Sequence, residues 1–270
     1  MECNTGATRA LTLGAGAHQA FFVDELLTGE DLSGITSAIL RNAGGIIGVE
    51  LFGSGNLLDG ILLTDDTATT MYYPHVVTSD TWWTGIVAYN PSTTTNTITI
   101  TPYSAAGTTL ASVQLDPLGS QGKLVNTTAN LNLDPDTAWF VLEGSAAVSG
   151  FELFAYQSGS AMAGYCGTQT STQGVFAKLE KEGWTGIAFV NTEATAATVT
   201  LTAYTDAGAV VATGQTSVPG HGKQVNLAEG LFSQDIGTAT YLSYSSDKNL
   251  IGFQLNSSSN DNVLDALPGL

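Results

Sequence analysis

Closely spaced carboxylates are the side chains of this chain whose type and spacing could bind a cation. Asp134 and Asp136 stand two residues apart in the segment LDPDTAW, just before a predicted strand. Oxygen clusters on loops bind calcium, although this spacing does not match the D-x-[DN]-x-[DN]-G loop. An aspartate that stabilises its own turn explains the pair equally well. Asp134 and Asp136 are therefore the calcium candidates, and the sequence indicates no other metal or cofactor.

The remaining polar side chains do not form a recognisable catalytic motif. His18, His75 and His221 each stand alone at a predicted turn or strand end, so we expect them at the surface and not in a shared metal site. Neither G-x-S-x-G nor H-E-x-x-H occurs. A carboxylate pair for glycoside hydrolysis would need a cleft, which the short predicted turns do not favour. We therefore predict a non-enzymatic protein with no catalytic residues.

The elements that position these residues belong to an internal repeat. Residues 83–90 read WTGIVAYN and residues 184–191 read WTGIAFVN, an offset of 101 (184 minus 83). The segment TITITPYSAAGTTLAS at 97–112 matches TVTLTAYTDAGAVVAT at 198–213 with the same offset. A fixed period of this length indicates a duplicated structural unit.

An incomplete copy of the unit comes first. IGVELFG at 47–53 precedes SGFELFA at 149–155 by 102 positions, but nothing before residue 47 matches the W-T-G-I segment. The predicted domains are a partial, second-half repeat at 1–69 and full repeats at 70–170 and 171–270.

Each unit has the pattern of β-strands. NTITITPYS alternates apolar and polar residues, which places Ile98 and Ile100 on one face, and Gly-bearing turns follow such runs. The predicted fold class is all-β, with tandem β-sandwich repeats of about 100 residues and an incomplete first repeat. We expect several strands within residues 1–64. Helical patterns are confined to single turns such as VDELL.

The repeated tryptophans and glycines have a structural interpretation. Trp83 and Trp184 are predicted to fill equivalent cores, and Gly85 and Gly186 are predicted to allow close packing beside them. Asn90 and Asn191 should end the strand at a turn.

Aromatic residues that the repeats do not share are the candidates for ligand binding. Trp82 aligns with Gly183 and Trp139 aligns with Thr240, while Tyr72 lies in a segment without a close match in the last copy. Exposed flat rings on a polar surface could stack on sugars. The alternative is that Trp82 packs between neighbouring repeats. The ligand-binding candidates are Trp82, Trp139 and Tyr72.

Composition restricts the partners and the location. Seven Lys plus Arg against 24 Asp plus Glu give a net charge of −17, which disfavours nucleic acid and anionic membrane surfaces. No apolar run is long enough to span a membrane, and MECNTG does not resemble a signal peptide. Abundant Thr, Ser and Asn favour an extracellular or cell-surface location, with the periplasm as a variant. Cys3 and Cys166 allow one disulfide but do not require it.

The incomplete first repeat should leave strands without their partners. Unpaired strand edges invite association, so a homodimer or strand exchange through the N-terminal repeat is one expectation. The chain could instead be cut from a longer array, or the half-unit could pack as a partial sheet against the second repeat.

The unit resembles uncharacterised tandem repeats of bacterial secreted or surface proteins, through Trp83 to Asn90, Thr97 to Gly107 and Gly150 to Phe154. In the last copy Gln254 and Asn256 depart from this pattern. The resemblance implies an extracellular β-sandwich array and no catalytic residues. The predicted function is a structural spacer or adhesive module. The alternative is a carbohydrate-binding module attached to a larger secreted protein. The partner would be a glycan or a cell-surface protein.

Overall fold

The N-terminal unit contains little regular structure. The computed structural model describes residues 8–35, 37–55, 57–77, 79–166 and 169–269, and it divides the chain into two units, residues 1–46 and 47–270. In the first unit, α1 (Val23–Leu26) begins where the backbone N–H of Phe22 donates a 2.9 Å hydrogen bond to the Glu25 carboxylate. The predicted helical turn in VDELL is thus confirmed.

The strands expected early in the chain form only in part. The described residues 8–46 contain no strand, and the first two strands are β1 (Val49–Ser54) and β2 (Leu57–Leu62), an antiparallel hairpin. The prediction of several strands in residues 1–64 was wrong for the described residues before residue 47. A physical reason is that an isolated extended segment without a neighbouring strand is at best marginally stable.

Two seven-stranded antiparallel sheets follow within the second unit. The strands of the first sheet are β3 (Ala68–Tyr73), β4 (Trp82–Tyr89), β5 (Ile98–Ser104), β6 (Val113–Gln114), β7 (Lys123–Thr127), β8 (Thr137–Tyr156) and β9 (Met162–Tyr165). The strands of the second sheet are β10 (Ser171–Phe176), β11 (Gly183–Asn191), β12 (Ala197–Tyr204), β13 (Val210–Val218), β14 (Lys223–Leu227), β15 (Tyr241–Ser258) and β16 (Leu264–Pro268).

Both sheets have the same topology. Their strand orders are β6-β5-β8-β4-β7 and β13-β12-β15-β11-β14, and in each sheet the long strand also pairs with two further strands. The first part of β8 pairs with β3 and β5, whereas its last part pairs with β4 and β9. Each long strand therefore belongs to two halves of one curled sheet. The all-β fold class is confirmed, whereas the repeat count and the domain boundaries stay predictions.

Alternating side chains explain why these segments form half-buried strands. In β5, Ile98 and Ile100 are fully buried and the threonine after each of them is partly exposed, as the pattern predicted. Strand β12 repeats this alternation, with Val199 and Leu201 fully buried. Each sheet thereby covers a hydrophobic core of its own, around Phe140 in the first sheet and Phe189 in the second.

The W-T-G segment packs differently from the prediction. Trp83 and Trp184 are half-buried and do not fill the cores of their own sheets, so the prediction of equivalent core positions was wrong. Side chains two residues apart share one face of a strand, and each indole lies over the glycine that follows it. A methyl group on Gly85 would lie 2.8 Å from the Trp83 ring, and one on Gly186 would lie 3.4 Å from the Trp184 ring. The distance at Gly85 is too short for a side chain, whereas 3.4 Å at Gly186 is an ordinary contact distance, and the close-packing role of both glycines stays a prediction.

The asparagine that ends the segment ties two turns together. The buried Asn90 amide donates hydrogen bonds of 2.8 Å to the carbonyls of Thr94 and Gly119. The buried Asn191 amide does the same with Thr195 at 2.7 Å and Pro219 at 3.1 Å. The predicted turns after both strands are confirmed.

Candidate functional site

A third hydrophobic core joins the two large sheets, and we call it the junction core. Strands β8 and β9 of the first sheet and strands β11, β15 and β16 of the second sheet contribute to it. The rings of Phe154 and Phe253 are stacked with centroids 6.2 Å apart, and the Tyr165 ring lies 5.1 Å from Phe253. Its fully or nearly fully buried aromatic side chains are Trp139, Phe154, Tyr156, Tyr165 and Phe253.

Trp139 lies inside the junction core. Its side chain is 1% exposed, and it stacks on Tyr103 with ring centroids 4.5 Å apart. Its indole N–H donates a 2.9 Å hydrogen bond to the carbonyl of His221, in the second sheet's half of the unit. A ring with no accessible face cannot stack on a ligand, so the structure corrects the prediction that Trp139 binds one.

Trp82 and Tyr72 lie at the margin of the junction core. Trp82 is half-buried, with its ring centroid 4.1 Å from Tyr156 and 6.5 Å from Trp184 in an edge-to-face arrangement. Tyr72 is also half-buried and packs against the same core. These contacts match the alternative in which Trp82 packs between repeats. Ligand binding by Trp82 or Tyr72 stays a prediction.

Three ionisable side chains meet beside the junction core. The His75 ring lies between Phe154 and Phe253, at 5.0 Å and 5.4 Å between centroids. Its backbone N–H donates a 3.2 Å hydrogen bond to Glu152 Oε1, and its Nδ1 lies within hydrogen-bonding distance of Lys223 Nζ. The Lys223 ammonium also donates to the carbonyl of Ala138 at 2.9 Å. Glu152 and Lys223 are buried and His75 is partly exposed, and we call the three residues the buried trio.

Burial dominates the electrostatics of the buried trio. It raises the pKa of Glu152 well above its usual value, although the positive charge of Lys223 opposes this. It lowers the pKa of Lys223 to about 7, with Glu152 opposing, and it lowers the pKa of His75 well below 6.5. All three shifts favour the uncharged forms. Glu152 Oε2 is buried and finds no hydrogen-bond partner in the part of the chain that the structure describes.

The sequence analysis missed the buried trio. His75 was expected at the surface, but it is only partly exposed and packs between two phenylalanines of different sheets. The available signal was Glu152 itself, a single carboxylate in the otherwise apolar run GFELFAY, where both faces of the strand are apolar. Gln254 occupies the corresponding position in the last copy, and its side chain donates to the carbonyl of Lys178 at 2.9 Å.

A shallow cleft opens beside Trp83. It has a volume of about 330 Å³ and is lined by Trp83, Thr84, Thr127, Thr128, Ala129 and Gln157. Trp184, in the equivalent position, donates from its indole to Asp261 at 3.2 Å and contacts Trp82. Within the described ranges, Trp83 has no hydrogen bond or ring contact of this kind. One indole of the repeated pair is therefore held by neighbours and the other faces a cleft.

The calcium candidates form a turn that stabilises itself. Asp134 Oδ1 accepts a 2.9 Å hydrogen bond from the backbone N–H of Asp136, and the Asp134 carbonyl accepts one from the Thr137 hydroxyl. Among the described residues, no group of three or more His, Cys, Asp or Glu side chains could hold a metal ion. Calcium binding at Asp134 and Asp136 stays a prediction.

The cysteines of the candidate disulfide are Cys3 and Cys166. Cys166 is a free, exposed cysteine, whereas Cys3 lies outside the described residues.

Comparison of the chain with protein-family models and with curated proteins found no match. In the described part of the chain, no helix has the length and apolar character needed to cross a membrane.

Proposed function

We propose that this protein is a non-enzymatic structural or adhesive module of the cell surface or extracellular space. The observation that carries the proposal is the junction core. Trp139, Phe154 and Phe253 join two similar sheets through buried aromatic side chains rather than through a flexible linker. Packed neighbouring units of this kind suit a spacer, because stacked repeats that share a core resist independent rotation.

The placement of the reactive side chains supports a non-enzymatic role. The buried ionisable groups Glu152 and Lys223 lie beside His75, whose ring packs between two phenylalanine rings. Neither lines the cleft beside Trp83. Perturbed pKa values also arise in structural clusters, and here the surroundings are those of a packing interface.

A second candidate function is carbohydrate binding, and the cleft beside Trp83 favours it. A half-exposed indole with threonine and glutamine side chains around it offers an apolar face and polar groups to a neutral sugar ring. The net charge of −17 supports a neutral glycan or a cell-surface protein over nucleic acid or an anionic membrane.

A glycan and polysaccharide array tests both candidates, with a parallel assay for release of reducing sugars. The structural role predicts no saturable binding and no hydrolysis. Saturable binding that Trp83→Ala abolishes, while Trp184→Ala retains it, would replace the structural role with sugar recognition at the cleft. Hydrolysis by the purified chain would contradict both candidates.

A further inference from the structure

The hairpin of β1 and β2 is a sheet fragment whose next strand is absent from the described residues. In the first sheet, residues 149–156 of β8 lie between β9 and β4. In the second sheet, residues 250–258 of β15 lie between β16 and β11. Strand β1 pairs with β2 alone among the described residues. Among the described residues, no strand therefore occupies beside β1 the position that β4 and β11 occupy in the large sheets, and we call this the open position.

Sequence equivalence identifies the missing neighbour. GVELFG, which includes most of β1, corresponds to GFELFA in β8 and to GFQLNS in β15. In both complete sheets, the strand that pairs with this segment contains W-T-G-I from its second residue. Strands β4 and β11 thus show what kind of strand fits the open position beside β1.

The free edge of β1 carries the main-chain groups of alternate residues. The carbonyl of Gly48 accepts a 2.9 Å hydrogen bond from the N–H of Leu63, so even-numbered positions of this segment bond towards β2. Val49, Leu51 and Gly53 consequently present their N–H and C=O groups to the open side. The complete first sheet has the same polarity, because Gln157 donates to Thr81, on the β4 side, at 2.7 Å.

One face of the hairpin is apolar and exposed. Val49, Leu51, Leu58 and Leu62 share this face and are 55%, 66%, 68% and 67% exposed. The opposite face contacts the first sheet, where Phe52 lies 6.0 Å from Phe151 and β2 contacts β9. A free edge bordered by exposed leucines is the kind of strand that pairs with another chain unless something blocks it.

We propose that the free edge of β1 binds an extended W-T-G-I-type strand supplied by another polypeptide that carries this repeat. The inference deepens the proposed structural role and rests on it, since the partner is a further unit of the same kind. Binding is by strand addition, in which main-chain hydrogen bonds supply affinity and alternate side chains supply specificity.

The second sheet defines the register of the added strand. There, Trp184 lies opposite Ser257, Gly186 opposite Leu255 and Ala188 opposite Phe253. Transferred to the hairpin, the tryptophan of the donor strand lies opposite Gly53, its glycine opposite Leu51, and its small apolar residue opposite Val49. The donor glycine leaves room for the donor tryptophan, as Gly85 does for the Trp83 ring.

The test uses the full chain and a fluorescently labelled peptide with the sequence of residues 183–191, GWTGIAFVN. Anisotropy titration is expected to show saturable binding. In β11, the Asn191 N–H donates to Gly222 beside β14, so Gly186 and Ala188 direct their N–H groups towards β15. N-methylation of the peptide at Gly186 and Ala188 is therefore expected to weaken binding roughly tenfold or more, because it removes two hydrogen bonds.

N-methylation at Ile187 and Phe189 is the matched control, because these groups point away from the acceptor edge. Equal loss for the two methylated peptides, or no binding of the parent peptide, overturns the proposal. Leu51→Pro removes one edge donor of β1 and should weaken binding, with thermal unfolding of the variant measured in parallel. The peptide comparison remains decisive if that variant does not fold.

An alternative is that β1 pairs with β1 of a second copy of the chain. Sedimentation measures the mass of the chain with and without the peptide and thereby distinguishes this dimer from the proposed complex. A concentration-dependent dimer that the peptide dissociates supports a strand-accepting edge. A dimer that does not bind the peptide and is not dissociated by it would contradict the proposal that a W-T-G-I-type strand occupies the edge of β1. The glycan array tests the proposed function and does not depend on the peptide titration. A failure of the proposed function can therefore be distinguished from a failure of the proposed strand addition.

Discussion

Trp139 shows how a single side chain connects two sheets. Trp139→Phe keeps an aromatic ring but removes the hydrogen bond to the His221 carbonyl and part of the buried area. We expect the free energy of unfolding, measured by urea titration, to fall by about 1–3 kcal/mol.

Trp83→Phe is the matched control for Trp139, because Trp83 is half-buried beside an open cleft. We expect it to change the free energy of unfolding by less than about 0.5 kcal/mol. Equal effects of the two substitutions would contradict the structural role assigned to Trp139.

Lys223 should make stability depend on pH in the alkaline range. Its folded pKa of about 7 lies below 10.5, so the unfolded chain binds more protons between these values and the free energy of unfolding rises with pH there. The lowered pKa of His75 makes the free energy of unfolding rise with pH below pH 6.5. The raised pKa of Glu152 makes the free energy of unfolding fall with pH above the ordinary pKa of a glutamate. We expect Lys223→Met to flatten the rise, measured by urea unfolding at several pH values between 7 and 10.5.

Lys178→Met supplies the control for that profile, since the Lys178 side chain is 54% exposed. The comparison separates the effect of burial from the loss of a lysine as such. A profile of Lys223→Met that parallels the parent would show that the buried lysine does not titrate in this window.

At the scale of the elements, the asparagine that ends each W-T-G-I strand should contribute strongly to the stability of the fold. Asn90→Ala leaves the carbonyls of Thr94 and Gly119 without their donor inside the fold. We expect a loss of about 2–4 kcal/mol in the free energy of unfolding, because alanine cannot replace the several hydrogen bonds that the buried Asn90 amide donates. Asn191→Ala should cost a similar amount, because its contacts are equivalent.

The exposed Asn130 gives the control substitution, Asn130→Ala, which should be nearly neutral in the same urea titration. A small effect at Asn90 together with a large one at Asn191 would mean that the two copies do not share this structural device.

At the scale of the whole second unit, the junction core should make the two large sheets unfold together. Phe140 is buried in the first sheet's own core and Phe189 in that of the second. Phe140→Ala and Phe189→Ala should each lower the midpoint of one common calorimetric transition, since each removes about 3–5 kcal/mol.

Independent sheets would behave differently. If each substitution shifted one of two resolved transitions and left the other in place, the junction core would not couple the sheets. If the calorimetric enthalpy of the transition of the full chain equals its van't Hoff enthalpy, the two sheets unfold together, which supports coupling.

The pattern of the chain was sufficient to predict much of the local structure. Strand alternation in β5 depends on neighbouring residues only, so Ile98 and Ile100 could be placed on one buried face. The turns after Asn90 and Asn191 were likewise readable, because glycine and asparagine mark turns through their own backbone preferences. The strands expected before residue 47 did not form among the described residues, since a strand also requires a partner.

Only the tertiary structure decided which faces of the strands meet. In GFELFAY both faces of the strand are apolar, so the sequence did not reveal that Glu152 would turn towards His75 and Lys223. It did not reveal that Trp139 would be buried and Trp83 left beside a cleft, because both sit in similar alternating runs. By itself the sequence determined the all-β class and its turns through short-range periodicity. The junction core came from the docking of two curled sheets, and side-chain periodicity along one strand carries no information about which sheet covers it.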